Sequence, residues 1–315
     1  MNIAITQIEF KSYSKLAMIS CAVMVPKGEI KGVVQIAHGM YQSMDDYKRV
    51  MYFLCENGFV VAGNDHIGHG KSKTIQKVGI FFGRQDGHKV LVNDVYKLSH
   101  ILQNKYPDVP HILLGHSMGS FVSRLVASTY AGCVDGLILS GTAGTTKGVK
   151  SGIHIASVIG KVKGKTYYSR ALAKLSDGSF NQYFRRNKLD AGYGNSWLTR
   201  DEQFLEARKN QGGYTVPFTT QAYHDLYVLC SLANKPQWYQ SLSKKMPILL
   251  LSGTHDPVGD FGKGVSEVYR KLEKAGVDSV TLKLYPEGRH EMLNEINYKQ
   301  VHQDILDWIL KNFCK

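Results

Sequence analysis

Residues 111–120 read His-Ile-Leu-Leu-Gly-His-Ser-Met-Gly-Ser, and apolar residues recur at helical spacing from Phe121 to Tyr130. A short apolar run, a Gly-x-Ser-x-Gly turn and a helix in immediate succession form the pattern of a nucleophile elbow. The turn must be tight for Ser117 to stand clear of the strand end. Gly115 and Gly119 lack the side chains that would strike the adjoining strand and helix. The helix N-terminus under the serine favours negative charge there. This one stretch demands a buried strand feeding a helix, and so a sheet with helices packed on it.

The rest of the chain repeats that rhythm. Runs read as strands are Ile3–Phe10, Ala17–Val25, Val33–Ala37, Phe59–Gly63, His111–Leu114, Leu137–Leu139, Ile248–Leu251 and Val280–Tyr285. Helical spacing covers Asp46–Asn57, Val90–Lys105, Phe121–Tyr130, Lys263–Ala275 and Gln300–Phe313. Several of the strands are continuously apolar, as strands buried on both faces are. Alternation of this kind predicts an α/β protein with a mostly parallel eight-stranded sheet flanked by helices. From about Thr142 to Lys235 the alternation gives way to Gly-, Lys- and Tyr-rich sequence. Such a length is too long for a loop, so a helical cap inserted after the sixth strand is expected. The core is then 1–141 and 236–315, and the cap 142–235.

A serine hydroxyl is a weak nucleophile and needs a base held by an acid. Two loops that follow apolar strands supply them. Leu249–Leu251 leads into Ser-Gly-Thr-His-Asp-Pro-Val, with Asp256, and Leu282–Tyr285 leads into Pro-Glu-Gly-Arg-His-Glu, with His290. Both residues fall beyond strand C-termini, the edge on which open parallel sheets place their sites. Asp260 is the rival acid. Among the other histidines, His255 adjoins the acid and His302 lies inside a helix. Charge that develops on a substrate oxygen calls for main-chain N–H donors. Met118, next after the serine, supplies one. Met40, in the His38-Gly39 turn that ends an early strand, is the candidate for the other.

These stretches resemble the α/β-hydrolase fold, and within it the monoacylglycerol lipase and lysophospholipase-like branch, also described as serine-aminopeptidase-like hydrolases. The matching residues are Ala37–Met40, Asp65–Ser72, Gly115–Ser120, Ser252–Val258 and Gly288–Glu291, spanning the chain from about residue 30 to 310. The resemblance implies a catalytic triad of Ser117, Asp256 and His290, with an oxyanion hole from the Met40 and Met118 N–H groups. It implies no cofactor or metal, and a substrate such as a monoacylglycerol or lysophospholipid. An aminopeptidase or amidase on the same triad, or a low-turnover ligand-binding homologue, are the alternatives. The family's usual Gly-His-Ser-Met-Gly-Gly ends here in Ser120, and its frequent Asp-x-Arg-Gly-His-Gly has Ile67 in place of Arg. In the cap only Ser196–Asp201 matches, resembling bacterial lysophospholipase-like relatives.

Composition narrows the partners. The 39 basic against 26 acidic residues leave a formal charge of +13. From Lys147 to Lys188 there are ten basic residues and one acidic, interleaved with Tyr167, Tyr168, Phe180, Tyr183 and Phe184. A basic, aromatic cap suits peripheral contact with anionic lipid, or is a plain solvated face; nucleic acid is not expected. Five scattered cysteines without a CxxC suit a reducing compartment, so a cytoplasmic protein is expected. No apolar run is long enough to cross a membrane. Asp65, His66 and His69 offer possible metal ligands but read as a loop that leaves a strand. Gly70-Lys71-Ser72 and Gly164-Lys165-Thr166 lack the first glycine of a phosphate loop.

Overall fold

The computed structural model describes residues 3–72, 79–190, 192, 195–210 and 216–314. Eight strands form one sheet: β1 (Ile3–Lys11), β2 (Met18–Pro26), β3 (Gly32–Ala37), β4 (Phe59–Asn64), β5 (His111–His116), β6 (Gly136–Ser140), β7 (Ile248–Gly253) and β8 (Val280–Tyr285). Their spatial order is β1-β2-β4-β3-β5-β6-β7-β8. β2 runs antiparallel to β1 and β4, and every later pairing is parallel. This is the α/β architecture expected from the alternation.

β3 through β7 have no exposed residue, which accounts for their unbroken apolar runs. Gln35, a polar residue inside β3, is satisfied. Its Nε2 donates to Val95 O at 2.9 Å, and its Oε1 accepts from Ser99 Oγ at 2.7 Å. Helices α1 (Lys48–Glu56) and α11 (Tyr298–Phe313) cover one face of the sheet. The other face carries α2 (Gly87–Lys105), α3 (Met118–Thr129) and α10 (Lys263–Lys274).

Between β6 and β7 lie α4 (Val149–Lys163), α5 (Arg170–Ala173), α6 (Ser179–Arg186), α7 (Glu202–Asn210), α8 (Thr220–Ala233) and α9 (Pro236–Gln240). They are not equally detached from the core. α8 starts at an N-cap, where Thr219 accepts from Ala222 N. It buries Ala222, Tyr223, Leu229 and Ala233 in the same apolar cluster as α2 and α3. Phe184, Trp197, Leu198 and Leu205 form a small cluster of their own. α4 buries only Gly152 and Ala156, while Ile155, Val158 and Val162 are exposed on one of its faces.

Several boundaries move outward from those predicted. α3 begins at Met118 rather than Phe121, α2 at Gly87 rather than Val90, and α11 at Tyr298 rather than Gln300. The stretch expected as one helix from Asp46 is a 3₁₀ turn, Met44–Tyr47, running into α1. Gly and Ser have weak helix propensity, so the pattern hides the first turns of α2 and α3.

Candidate active site

Four loops leave the same edge of the sheet and converge. Ser117 follows β5 directly, with φ 53° and ψ −121°. A non-glycine residue rarely adopts that region, and here it turns the side chain off the strand axis. Gly119 makes the turn possible, because a Cβ there would stand 2.0 Å from Ala37 O. On the far side, Gly253 at the end of β7 lies so close to Gly288 that a Cβ would fall 1.9 Å from its carbonyl oxygen. His255 N also donates to Gly288 O at 2.9 Å. This close approach binds the Asp256 loop to the His290 loop.

The result is a continuous set of hydrogen bonds. His290 Nε2 lies 2.8 Å from Ser117 Oγ, and His290 Nδ1 lies 3.0 Å from Asp256 Oδ1. Asp256 is fully buried. Its Oδ1 also accepts from Val258 N at 2.9 Å, and its Oδ2 accepts from Ser252 Oγ at 3.3 Å. An acid-facing Nδ1 carries the proton, which leaves Nε2 as an acceptor toward the serine. Asp260 is exposed in the loop beyond.

The turn after β3 is held rigidly beside Ser117. Gly39 N donates to Gln42 Oε1 at 2.7 Å, which also accepts from Tyr47 OH at 2.6 Å. His38 Nε2 accepts from His66 N at 2.8 Å, so its Nδ1 donates to Gly39 O at 2.7 Å. Met40 therefore sits on a fixed turn, and it borders the same cleft as Ser117 and Met118. His66 and His69 pack with the His38 ring, at centroid distances of 4.2 and 5.0 Å from it. Burial pushes His66 down to about 4 and His69 to about 3, so all three rings are neutral packing groups at neutral pH. Among the described residues no cluster of His, Cys, Asp or Glu is arranged to hold a metal ion.

A cleft of about 450 Å³ opens at Ser117. Phe121 and Val258 line it from the sheet side, and Ile155, Leu175, Phe180 and Leu226 from the inserted helices. No carboxylate is among its described lining residues. A much smaller recess, which also borders Ser117 and His290, includes Gln42, Arg208 and Glu291.

Residues 28–297 match the family described as serine aminopeptidase, S33 (Hydrolase_4). The chain belongs to that family. Mouse monoglyceride lipase is 28% identical to this S33 protein, over 92% of this chain and 86% of its own length. The monoacylglycerol lipase of Mycolicibacterium smegmatis is 26% identical over 92% of each chain. A thermostable carboxyl esterase from Bacillus coagulans, solved in complex with glycerol, superposes with a TM-score of 0.87. It is 26% identical, with 98% of both chains covered. This S33 chain is a hydrolase of the carboxylic-ester class with the α/β-hydrolase fold.

Residues that the sequence reading did not single out surround His290. The His116 ring packs 4.8 Å from the His290 ring and Trp197 5.2 Å from it. Burial, and then His290 itself, hold His116 well below the ordinary histidine range. Arg289 donates to Ser196 O and, at 2.9 Å, to Leu189 O, which clamps the inserted segment onto the histidine loop. Arg208 from α7 reaches Glu291, Asp46 and Tyr41 O at 2.7, 3.4 and 2.9 Å. Trp197 and Arg289 stand within matched motifs. Arg208 lies in a charged helix that reads as solvated. Among the described residues no helix is long and apolar enough to cross a membrane.

Proposed function

We propose that this S33 hydrolase cleaves single-chain acyl esters such as monoacylglycerols or lysophospholipids, with Ser117 as nucleophile, His290 as base and Asp256 as the orienting acid. The observation that carries this reading is the bridge from Asp256 through His290 to Ser117 at the mouth of an apolar cleft. His290 Nε2 takes the hydroxyl proton as Ser117 Oγ forms a bond to the ester carbonyl carbon. The Met40 and Met118 N–H groups receive the oxyanion. The carbon–oxygen bond to the alcohol then breaks, and the alcohol leaves with the proton from His290. Water, deprotonated by His290, attacks the acyl-enzyme and releases the acid.

The two spaces beside Ser117 divide the substrate. The acyl chain fits the apolar cleft, and the alcohol faces the recess with Gln42, Arg208 and Glu291. A substrate ammonium would want a carboxylate in the cleft, and none of its described lining residues is one; this favours esters over N-terminal peptides. Residues 142–235 act as the cap that shapes the cleft. The cap is also the face we assign to lipid. Ile155, Val158, Val162, Tyr167, Tyr168, Leu175 and Tyr183 are all exposed on it, within the segment that holds ten basic residues. Ile155 and Leu175 lie at the cleft itself, so an interface docked there would deliver an acyl chain straight to Ser117.

The test is covalent labelling by a fluorophosphonate, followed by peptide mapping and an ester screen of graded chain length. Modification at Ser117 and turnover that rises with acyl length are expected. Labelling elsewhere, or none, would overturn the mechanism.

A further inference from the structure

Arg124, on α3, is the largest side chain fully out of solvent among the described residues. Burying a guanidinium without a counter-charge is costly, and no carboxylate contacts it among the described residues. Burial lowers it to about 9, so it remains charged at neutral pH. Its donors go to Ala233 O at 3.1 Å, Ala143 O at 3.1 Å and Thr142 Oγ1 at 2.6 Å. It also lies 5.0 Å from the centre of the Trp238 ring. Thr142 and Ala143 open the segment inserted after β6; Ala233 closes α8, and Trp238 belongs to α9. One cation therefore grips both ends of the insertion.

The grip continues into the elbow. Ser120 Oγ lies 2.7 Å from Thr142 Oγ1 and 2.6 Å from the main-chain oxygen of Ser117. Each hydroxyl has one proton, a guanidinium only donates and a carbonyl only accepts. Arg124 Nη2 donates to Thr142 Oγ1, and the single proton of Ser120 Oγ is shared between two acceptors, Thr142 Oγ1 and Ser117 O. The same carbonyl accepts from Ser120 N at 2.9 Å. The chain of hydrogen bonds thus ends on the peptide group that holds Ser117 in its strained conformation. It runs through Ser120, where the family's usual motif has glycine.

We propose that Arg124, Thr142 and Ser120 are positioning residues, a relay that sets the Ser117 elbow by the placement of the two ends of the inserted segment. This rests on the reading of Ser117 as nucleophile. A shift of either end displaces Thr142 or the Arg124 head, and the Ser120 hydroxyl anchored on Thr142 moves off the elbow carbonyl. None of the three touches substrate; they act through Ser117.

The test uses the full chain and measures the second-order rate of fluorophosphonate labelling, with kcat and KM for a soluble short-chain p-nitrophenyl ester, all normalised to folded protein. Thr142→Val keeps the shape and removes the hydroxyl, and Ser120→Gly installs the residue usual in the family. Each should lower kcat and the labelling rate about tenfold or more, because small misplacement of a reacting atom is expensive, with KM within about twofold of wild type. Thr142→Ser should restore the rate. The double variant should be no slower than the slower single, since one break already interrupts a relay. Singles that label at the wild-type rate, losses that multiply in the double, or failure of Thr142→Ser to rescue would overturn the relay. A wild-type protein that does not label at Ser117 would instead overturn the nucleophile assignment, before any variant is compared.

Discussion

Arg208 Nη1 donates to Glu291 Oε1 at 2.7 Å, and both side chains are almost wholly buried. Glu291 directly follows His290, and Arg208 sits on α7 of the inserted segment. A buried pair of this kind adds little over an apolar replacement of both partners, but removal of one strands the other charge at a cost of about 3–5 kcal/mol. Arg208→Met should therefore lower the urea midpoint sharply, and more than Arg208→Met combined with Glu291→Leu. Equilibrium unfolding of both variants checks this; a single variant as stable as wild type would show that the pair is not holding α7 to the histidine loop.

Acid should destabilise the protein from about pH 6.5 downward. Burial pushes His66, His111 and His302 down to about 4 and His69 to about 3, with His38 and His116 also well below their ordinary value of 6.5. Between these values the unfolded chain binds more protons than the native one, so stability is complete above pH 6.5 and is lost as pH falls toward 4. Asp46, Asp94 and Asp65 act in the opposite sense, because burial raises the first two to about 6 and lifts Asp65 above the usual carboxylate range. Six histidines outweigh three carboxylates. His302 alone, with its ring against Phe53 and its Nε2 on Leu293 O at 3.0 Å, represents on the order of 3 kcal/mol over the full window. Urea midpoints at pH 7.5, 6 and 5 should fall in that order, and less steeply in His302→Gln. A midpoint that rises on acidification would contradict the sign.

Lipid docking has its own test. Lys161 and Lys163 flank Val162, which is 73% exposed, and each basic group near an anionic surface is worth about 1 kcal/mol. Lys165 is a poorer probe because its Nζ is engaged by Arg84 O. Lys161→Glu combined with Lys163→Glu should weaken cosedimentation with anionic vesicles and slow turnover of vesicle-borne ester. Hydrolysis of a soluble short-chain ester should stay within about twofold, since neither lysine lines the cleft. Equal loss on both substrates would place these lysines in pocket architecture instead, and no loss on either would make them a solvated face.

What was legible in the sequence was whatever is local. Ser117 announces itself because the elbow needs Gly115 and Gly119 within two residues of it. Asp256 and His290 follow because each sits a few residues past an apolar strand. Even the Ser120 departure is readable as a letter. Its meaning is not, since Thr142 and Arg124 are brought to it only by the packing of α3 against both ends of the insertion. Arg124 and Arg208 share one obstacle. A basic residue in a helix is most often solvated, and only the tertiary contacts reveal that both are buried. The +9 concentration in the segment 147–188 was visible as composition. The exposed apolar face of α4 beside it was not, because Ile155, Val158 and Val162 carry the same spacing as a buried stripe.

As nucleophile, Ser117 is proposed to attack an ester carbonyl. The most direct measurement is kcat/KM of Ser117→Ala on a monoacylglycerol, beside wild type, with the fold checked by circular dichroism. Triad members act as a unit, so a fall of about 10⁴-fold or more in a folded variant is the expected result. A folded Ser117→Ala protein that still hydrolyses the ester within about tenfold of the wild-type rate would contradict the account.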